Sequence, residues 1–195
     1  LACTVYDNVF QDLDTANISK CVAAANGGFN EIWFFYPSLS GGTGECDKYV
    51  KVTVPEGVWD FGVLSRSAWI DETVSGDPIG ADPTTLYIQQ HETGYDNDGA
   101  VMNSYLETGY TAYGDGENFG VIDYFEPDMK WKTVSGSSSA QVQVTLTAVP
   151  SPNGPAMTSG PLTMTSATEY LSPRLRGRQI KWRLETTDLG SWWRC

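Results

Sequence analysis

Eight consecutive residues, Glu31-Ile32-Trp33-Phe34-Phe35-Tyr36-Pro37-Ser38, limit what this chain can become more than any other stretch. The run places large apolar and aromatic side chains side by side and stops at a proline. Burial stabilises apolar surface by roughly 25 cal/mol per Å², so such a run belongs in a core. It is short, aromatic-rich and Pro-terminated, which predicts a strand rather than a helix, and one buried on both faces. Asn17 to Ala25 precedes it as a second expected strand, ending at the turn signal Asn26-Gly27-Gly28. Downstream, Asp47 to Val54 alternates polar and apolar, turns at Pro55-Glu56-Gly57, and returns as Val58 to Leu64. Consecutive strands joined by short turns predict an up-and-down meander, the unit of a β-propeller blade.

The remainder of the chain points the same way. Residues 1–16 are polar with scattered apolar anchors and read as a connector. Ser65 to Asp71 continues as an extended piece, Asp77-Pro78 and Asp82-Pro83 bracket an expected loop, and Thr84 to Glu92 reads as a strand opening a second blade. Val101 to Glu107 and Asn118 to Phe125 are expected strands around Tyr113-Gly114-Asp115-Gly116, and Ser135 to Ser139 is an expected polar loop. Gln141 to Val149 alternates with period two, which predicts one buried and one solvated face. Pro150 to Pro161 reads as a loop, and Leu162 to Met164 and Thr168 to Leu171 as short extended pieces. Gln179 to Glu185 alternates again, with Ile180, Trp182 and Leu184 inward. The expected fold is all-β, with propeller-type meander blades over 1–92 and a β-sandwich-like domain over 93–195. Trp33, Phe35, Trp59, Trp69 and Trp182 are the expected core aromatics. The opening at Leu1 and the ending at Cys195 read as those of a fragment or processed product.

Composition excludes several classes. At 41% hydrophobic and 18% charged residues, the chain can build a core and is not a disordered polyelectrolyte. No apolar run reaches membrane-spanning length. The net charge of −12 disfavours tight nucleic-acid binding, which needs cations on phosphates. The basic residues concentrate at Arg174, Arg176, Arg178, Lys181, Arg183 and Arg194. Within that cluster Arg174-Leu175-Arg176-Gly177-Arg178 is the sharpest feature. Guanidinium forks pair bidentately with carboxylates, so these arginines are candidates for salt bridges within or between subunits. Cys3, Cys21, Cys46 and Cys195 have wide, irregular spacing, and there is a single histidine, so no zinc pattern is present and free thiols are expected.

Candidate chemistry is sparse. Asp96-Asn97-Asp98-Gly99 resembles part of a calcium loop, but Gly94 stands where an earlier acid is needed, and an Asx turn explains the residues as well. Glu92, Asp96 and Asp98 beside Tyr95 are the best carboxylates for a glycosidase, without the spacing information that would single them out. His91 could enter a Ser-His-Asp triad, but no Gly-x-Ser-x-Gly is present. Trp192 and Trp193 could stack on sugars or pack in a core or interface. No catalytic residue, metal ligand or cofactor is assigned.

The order of features carries a resemblance over residues 17–194. Asn30 to Ser38 is followed by Asp47-Lys48-Tyr49-Val50, then by Trp59, Gly62 and Leu64-Ser65-Arg66-Ser67-Ala68-Trp69. Leu86-Tyr87, His91-Glu92, Asp96-x-Asp98-Gly99, Gly114-Asp115-Gly116, Pro127-Asp128, Gly160-Pro161 and Arg174-x-Arg176-Gly177-Arg178-Gln179 complete the set. Together they resemble the tail-hub, or nozzle, proteins of short-tailed bacteriophages, also described as packaged-DNA stabilisation or tail tubular proteins. The resemblance implies a non-enzymatic virion protein of the tail. It implies assembly with copies of itself in a ring, most simply a hexamer, below the portal and adaptor proteins. It also implies transient, non-specific passage of DNA, which a negative lumen would let slide. Propeller-type sequence for at most two blades is present, fewer than a closed propeller needs. The alternative expectation is an extracellular carbohydrate-binding β-domain, with a calcium site at Asp96 and Asp98.

Overall fold

A computed structural model describes residues 3–73, 76–133 and 140–194. The expected polar loop at 135–139 and Cys195 lie outside the described residues. Strands hold 48% of the residues and helices 9%, in several antiparallel sheets, so the chain is all-β. It divides into two compact units, Leu1–Thr93 and Gly94–Cys195.

The first unit is built on a four-stranded antiparallel meander: β1 (Val22–Asn26), β2 (Glu31–Pro37), β3 (Cys46–Thr53) and β4 (Val58–Val63), in that spatial order. Asn30 closes the first connection in the left-handed region at φ 56°, which asparagine tolerates. Register then decides which side chains share a face. Ala24, Trp33 and Lys51 align across the sheet, as do Val22, Phe35 and Tyr49. On that face Ala24, Trp33, Phe35 and Cys46 form a core, with Trp69 and Leu64 packed against it. The other face aligns Ile32, Val52 and Trp59, and next to them Phe34, Val50 and Phe61. The aromatic strand is therefore buried on one face over Ile32–Phe35 and on both only at its end, where Tyr36 is buried on the Phe34 side. Trp59 lies on the face opposite Trp33 and Phe35, because a one-residue step along a strand reverses the side.

The segments around this sheet differ from expectation in instructive ways. Residues 6–12 form a short helix, α1 (Tyr6–Asp12), rather than a connector. It is tied to the end of β2, where Leu39 N–H donates to Asp12 O at 2.7 Å and Asp14 N–H donates to Pro37 O at 3.0 Å. The expected first strand starts late, since Thr15–Lys20 forms a 3-10 segment. Its entry is set by Asp14, whose Oδ1 accepts from Ala16 N–H at 3.0 Å. The loop expected between the two Asp-Pro pairs holds a strand. β5 (Ala68–Ile70), β6 (Ile79–Ala81) and β7 (Ile88–Gln90) make a three-stranded antiparallel sheet in this first unit. Of the expected strand Thr84–Glu92 only Ile88–Gln90 is strand, and its start is a turn in which Asp82 Oδ1 accepts from the N–H groups of Thr84 and Thr85.

In the second unit, β12 (Gln141–Val149) is the central strand. It pairs with β13 (Met157–Thr165) on one side and β15 (Gln179–Thr186) on the other. β15 also pairs with β8 (Ser104–Glu107) and β9 (Thr111–Ala112). The alternation in β12 works as expected: Val142, Val144, Leu146 and Ala148 are fully buried. Two ribbons supply further core residues. β10 (Gly120–Ile122) pairs with β14 (Leu175–Gly177), adding Ile122 and Leu175, and β11 (Lys130–Thr133) pairs with β16 (Ser191–Arg194), adding Trp131 and Trp193. Gly177 permits the close approach of β14 to β12, since a Cβ there would stand 2.7 Å from Ala148 Cβ. The expected loop 150–161 is partly strand, and the stretch 168–171 contributes only the bridge from Leu171 to Phe125.

The one-sided burial of β2 predicts opposite outcomes for neighbouring phenylalanines. Phe35→Ala removes a fully buried ring and should cost ~3–5 kcal/mol in urea unfolding. Phe34→Ala, on the open face, should cost about 1 kcal/mol or less. Equal losses at the two positions would contradict this burial pattern.

Candidate functional site

The first unit contains a column of stacked rings with a cation at each end. Lys51 Nζ sits 5.0 Å from the centroid of Trp33, and its ammonium is 2.7 Å from Glu31 Oε1. Trp33 packs on Tyr49 at 4.5 Å and stacks on Trp69 at 5.9 Å, 17° from parallel. Trp69 in turn meets His91 at 4.5 Å. The indole N–H of Trp69 donates to Ala25 O at 2.8 Å, which anchors β5 against β1. Beyond His91 lies Arg66, whose side chain is buried. Its Nε–H donates to His91 Nε2 at 2.8 Å, and its terminal N–H groups donate to Gln89 Oε1 and Ser65 O. Asp82 Oδ2 stands 3.8 Å from the guanidinium and balances its charge. Gly80 makes room for this arrangement, since a Cβ there would lie 2.6 Å from Arg66 Cδ.

This geometry fixes the chemistry of His91. Its Nε2 lone pair is used by Arg66, so the neutral ring carries its proton on Nδ1. Burial, and then the Arg66 charge, push its pKa down to about 4. A histidine that accepts from arginine in this way does not serve a serine nucleophile as a general base, so His91 acts as a structural acceptor. Burial alone would raise the pKa of Asp82, but the N–H groups of Thr84 and Thr85 and the Arg66 charge outweigh it and hold the pKa low. Glu92 accepts from Asn26 Nδ2 at 2.9 Å, which occupies the carboxylate singled out for hydrolytic chemistry. Cys46 is a buried free thiol that donates to Lys20 O at 3.1 Å, and burial lifts its pKa to about 11.

Across the meander from this column lies an open apolar face. Ile32 is 40% exposed, Phe34 39%, Phe61 46% and Val63 78%. Ile32 and Phe34 lie on β2 and Phe61 and Val63 on β4, and Val50 and Val52 of the intervening β3 share the same side of the sheet, so the apolar side chains form a continuous patch rather than scattered residues.

The second unit holds the arginine cluster. Arg174, Arg176 and Arg178, expected in salt bridges within or between subunits, make no ion pair within the chain among the described residues. Arg176 and Arg178 lie over the Phe119 ring instead, at 4.8 and 5.3 Å, because β14 pairs with β10 and brings them to that ring. The ion pairs are made by Lys181 and Arg183 with Glu107, and by Arg183 with Glu185. Asp96 Oδ1 accepts from Gly99 N–H at 2.9 Å, so Asp96-Asn97-Asp98-Gly99 is organised as an Asx-type turn, the reading weighed against a calcium loop. Among the described residues, no three His, Cys, Asp or Glu side chains gather as a metal site. Trp192 and Trp193 lie in β16, and Trp193 packs on the core. Phe125 and Trp182 meet at 5.0 Å and border a hollow of about 330 Å³ that the sequence did not signal. No described helix is long and apolar enough to cross a membrane.

Compared with known protein families and with curated protein sequences, the chain matches none.

The lowered pKa of His91 has a testable sign. The unfolded chain takes up a proton near pH 6.5, while the folded ring resists protonation until about pH 4. The stability that depends on neutral His91 is therefore complete above pH 6.5 and lost as pH falls towards 4. Allowing for the partial exposure of the ring, the loss is about 1–2 kcal/mol. Urea unfolding at stepped pH should show this fall in the native chain and a flatter profile for His91→Gln, which keeps an acceptor for Arg66. Parallel profiles would contradict it.

Proposed function

We propose that this chain is a non-enzymatic structural module of a bacteriophage tail, of the tail-hub or nozzle kind. In this reading it resides in the virion and works in a ring of copies, most simply six. It contacts portal, adaptor and other tail proteins and borders a passage for DNA. The observation that carries the reading is the meander sheet with two apolar faces, one closed by Trp69 and one open at Ile32, Phe34, Phe61 and Val63. A blade-like sheet of this kind is completed by a neighbour, and an assembly component supplies one. The net charge of −12 also suits a surface along which DNA moves without adhering. The ring residues and buried ion pairs of the first unit serve rigidity rather than turnover, as befits a passive part.

Immuno-electron microscopy of phage particles carrying this chain tests the reading. Label at the tail vertex, with a symmetric ring in averaged images, is expected. Phe61→Asp combined with Val63→Asp should prevent incorporation while leaving the melting temperature of the isolated chain nearly unchanged, because both positions are exposed there. A chain absent from particles, or particles that assemble normally with both substitutions, would contradict it.

A further inference from the structure

In the second unit, the segment after β10 carries Phe125, Glu126, Asp128 and Met129 to the side of β15 that presents Trp182 and Leu184. They border a half-open hollow of about 330 Å³, at the lower end of small-ligand sites. Its walls are apolar and aromatic. Its charged groups are two carboxylates, Glu126 and Asp128, both exposed and without an ion pair or hydrogen bond among the described residues. The cations of β15 do not pair with them. Lys181 and Arg183 alternate to the other side of β15, where Glu107 and Glu185 hold them. The one hydroxyl at the hollow, that of Thr108, is positioned by the backbone N–H of Trp182, which donates to its Oγ1 at 3.0 Å.

These features select a ligand by its chemistry. Indole and phenyl faces attract cations, and uncompensated carboxylates beside them attract the same charge. An anion meets repulsion. A neutral sugar could stack on the aromatic surface and donate to the two carboxylates, but it leaves their charge uncompensated, which an ammonium group does not. The small volume suits a small body better than a helix or strand of a partner. We propose that the hollow bordered by Trp182, Phe125, Glu126 and Asp128 binds a small organic cation, an ammonium group carried on an aryl or alkyl body. The hydrocarbon part fills the space against Met129 and Leu184, and the ammonium lies at the acidic rim.

The test uses the full chain and three probes of one shape: phenethylamine, 2-phenylethanol and phenylacetate. Indole N–H signals are followed by nitrogen-edited NMR, with the Trp182 signal assigned through Trp182→Phe. Phenethylamine should shift that signal saturably at millimolar concentration. Its affinity should exceed that of the alcohol by about three- to tenfold at low salt, a margin that shrinks as salt is added. Phenylacetate should bind more weakly than the alcohol. Glu126→Gln with Asp128→Asn, two exposed changes that leave the core intact, should bring the amine down to the affinity of the alcohol. The proposal is overturned by the absence of a saturable shift with the amine, by equal affinity for amine and alcohol in the native chain, or by a preference for the amine that survives the double substitution. A larger effect from methyl glucoside, or from a lysine-containing peptide that binds where phenethylamine does not, would overturn it as well.

Discussion

Trp69 must stack between Trp33 and His91, and much of the first unit follows from that requirement. The indole covers the aromatic face of the meander, and its N–H ties the second sheet to the edge of the first through Ala25. His91 then has to remain neutral, because a charged ring would lose its bond from Arg66 and face a cation. Arg66 in turn needs Asp82, Gln89 and the empty space above Gly80. A buried guanidinium without such partners would be costly, and with them it rigidifies more than it stabilises. The arrangement explains why the only histidine of the chain is held away from acid–base work.

The same sheet that is closed on one side by this column is open on the other. Val50 and Val52 are buried there, shielded by the larger side chains beside them, while Phe34, Phe61 and Val63 remain at the surface. In the second unit the balance differs. The ribbons carrying Trp131, Trp193, Ile122 and Leu175 cover the buried face of β12, and the space left over is the hollow beside Trp182. Charge is distributed accordingly, with Lys181 and Arg183 paired on one side of β15 and Glu126 and Asp128 unpaired at the hollow on the other.

Part of this was legible in the residues. Gln141–Val149 and Gln179–Glu185 alternate cleanly because each is paired on both edges and covered on one face, which is the condition under which period two appears. The aromatic run at 31–37 announced a strand but not its open side. A continuous apolar run records that both faces are apolar, and only tertiary packing decides which of them is covered. Thr84 and Thr85 have strand propensity, yet Asp82 captures their N–H groups and local hydrogen bonding prevails. The Arg66–His91 pair spans 25 residues and matches no motif, so it had no signal beyond the rarity of histidine. The hollow was equally silent: Phe125 stood at the end of an expected strand, and the pairing of β10 with β14 is what brings its segment to Trp182.

The central claim is that the Ile32–Phe34–Phe61 side of the meander is open in the isolated chain and would be covered in the proposed tail assembly. Alkylation of Val63→Cys, quantified by site-resolved mass spectrometry, addresses it directly. The account predicts rapid labelling at that position in the isolated chain and strong protection in intact phage particles. Labelling at the same rate in both, or protection already present in the isolated chain, would contradict it.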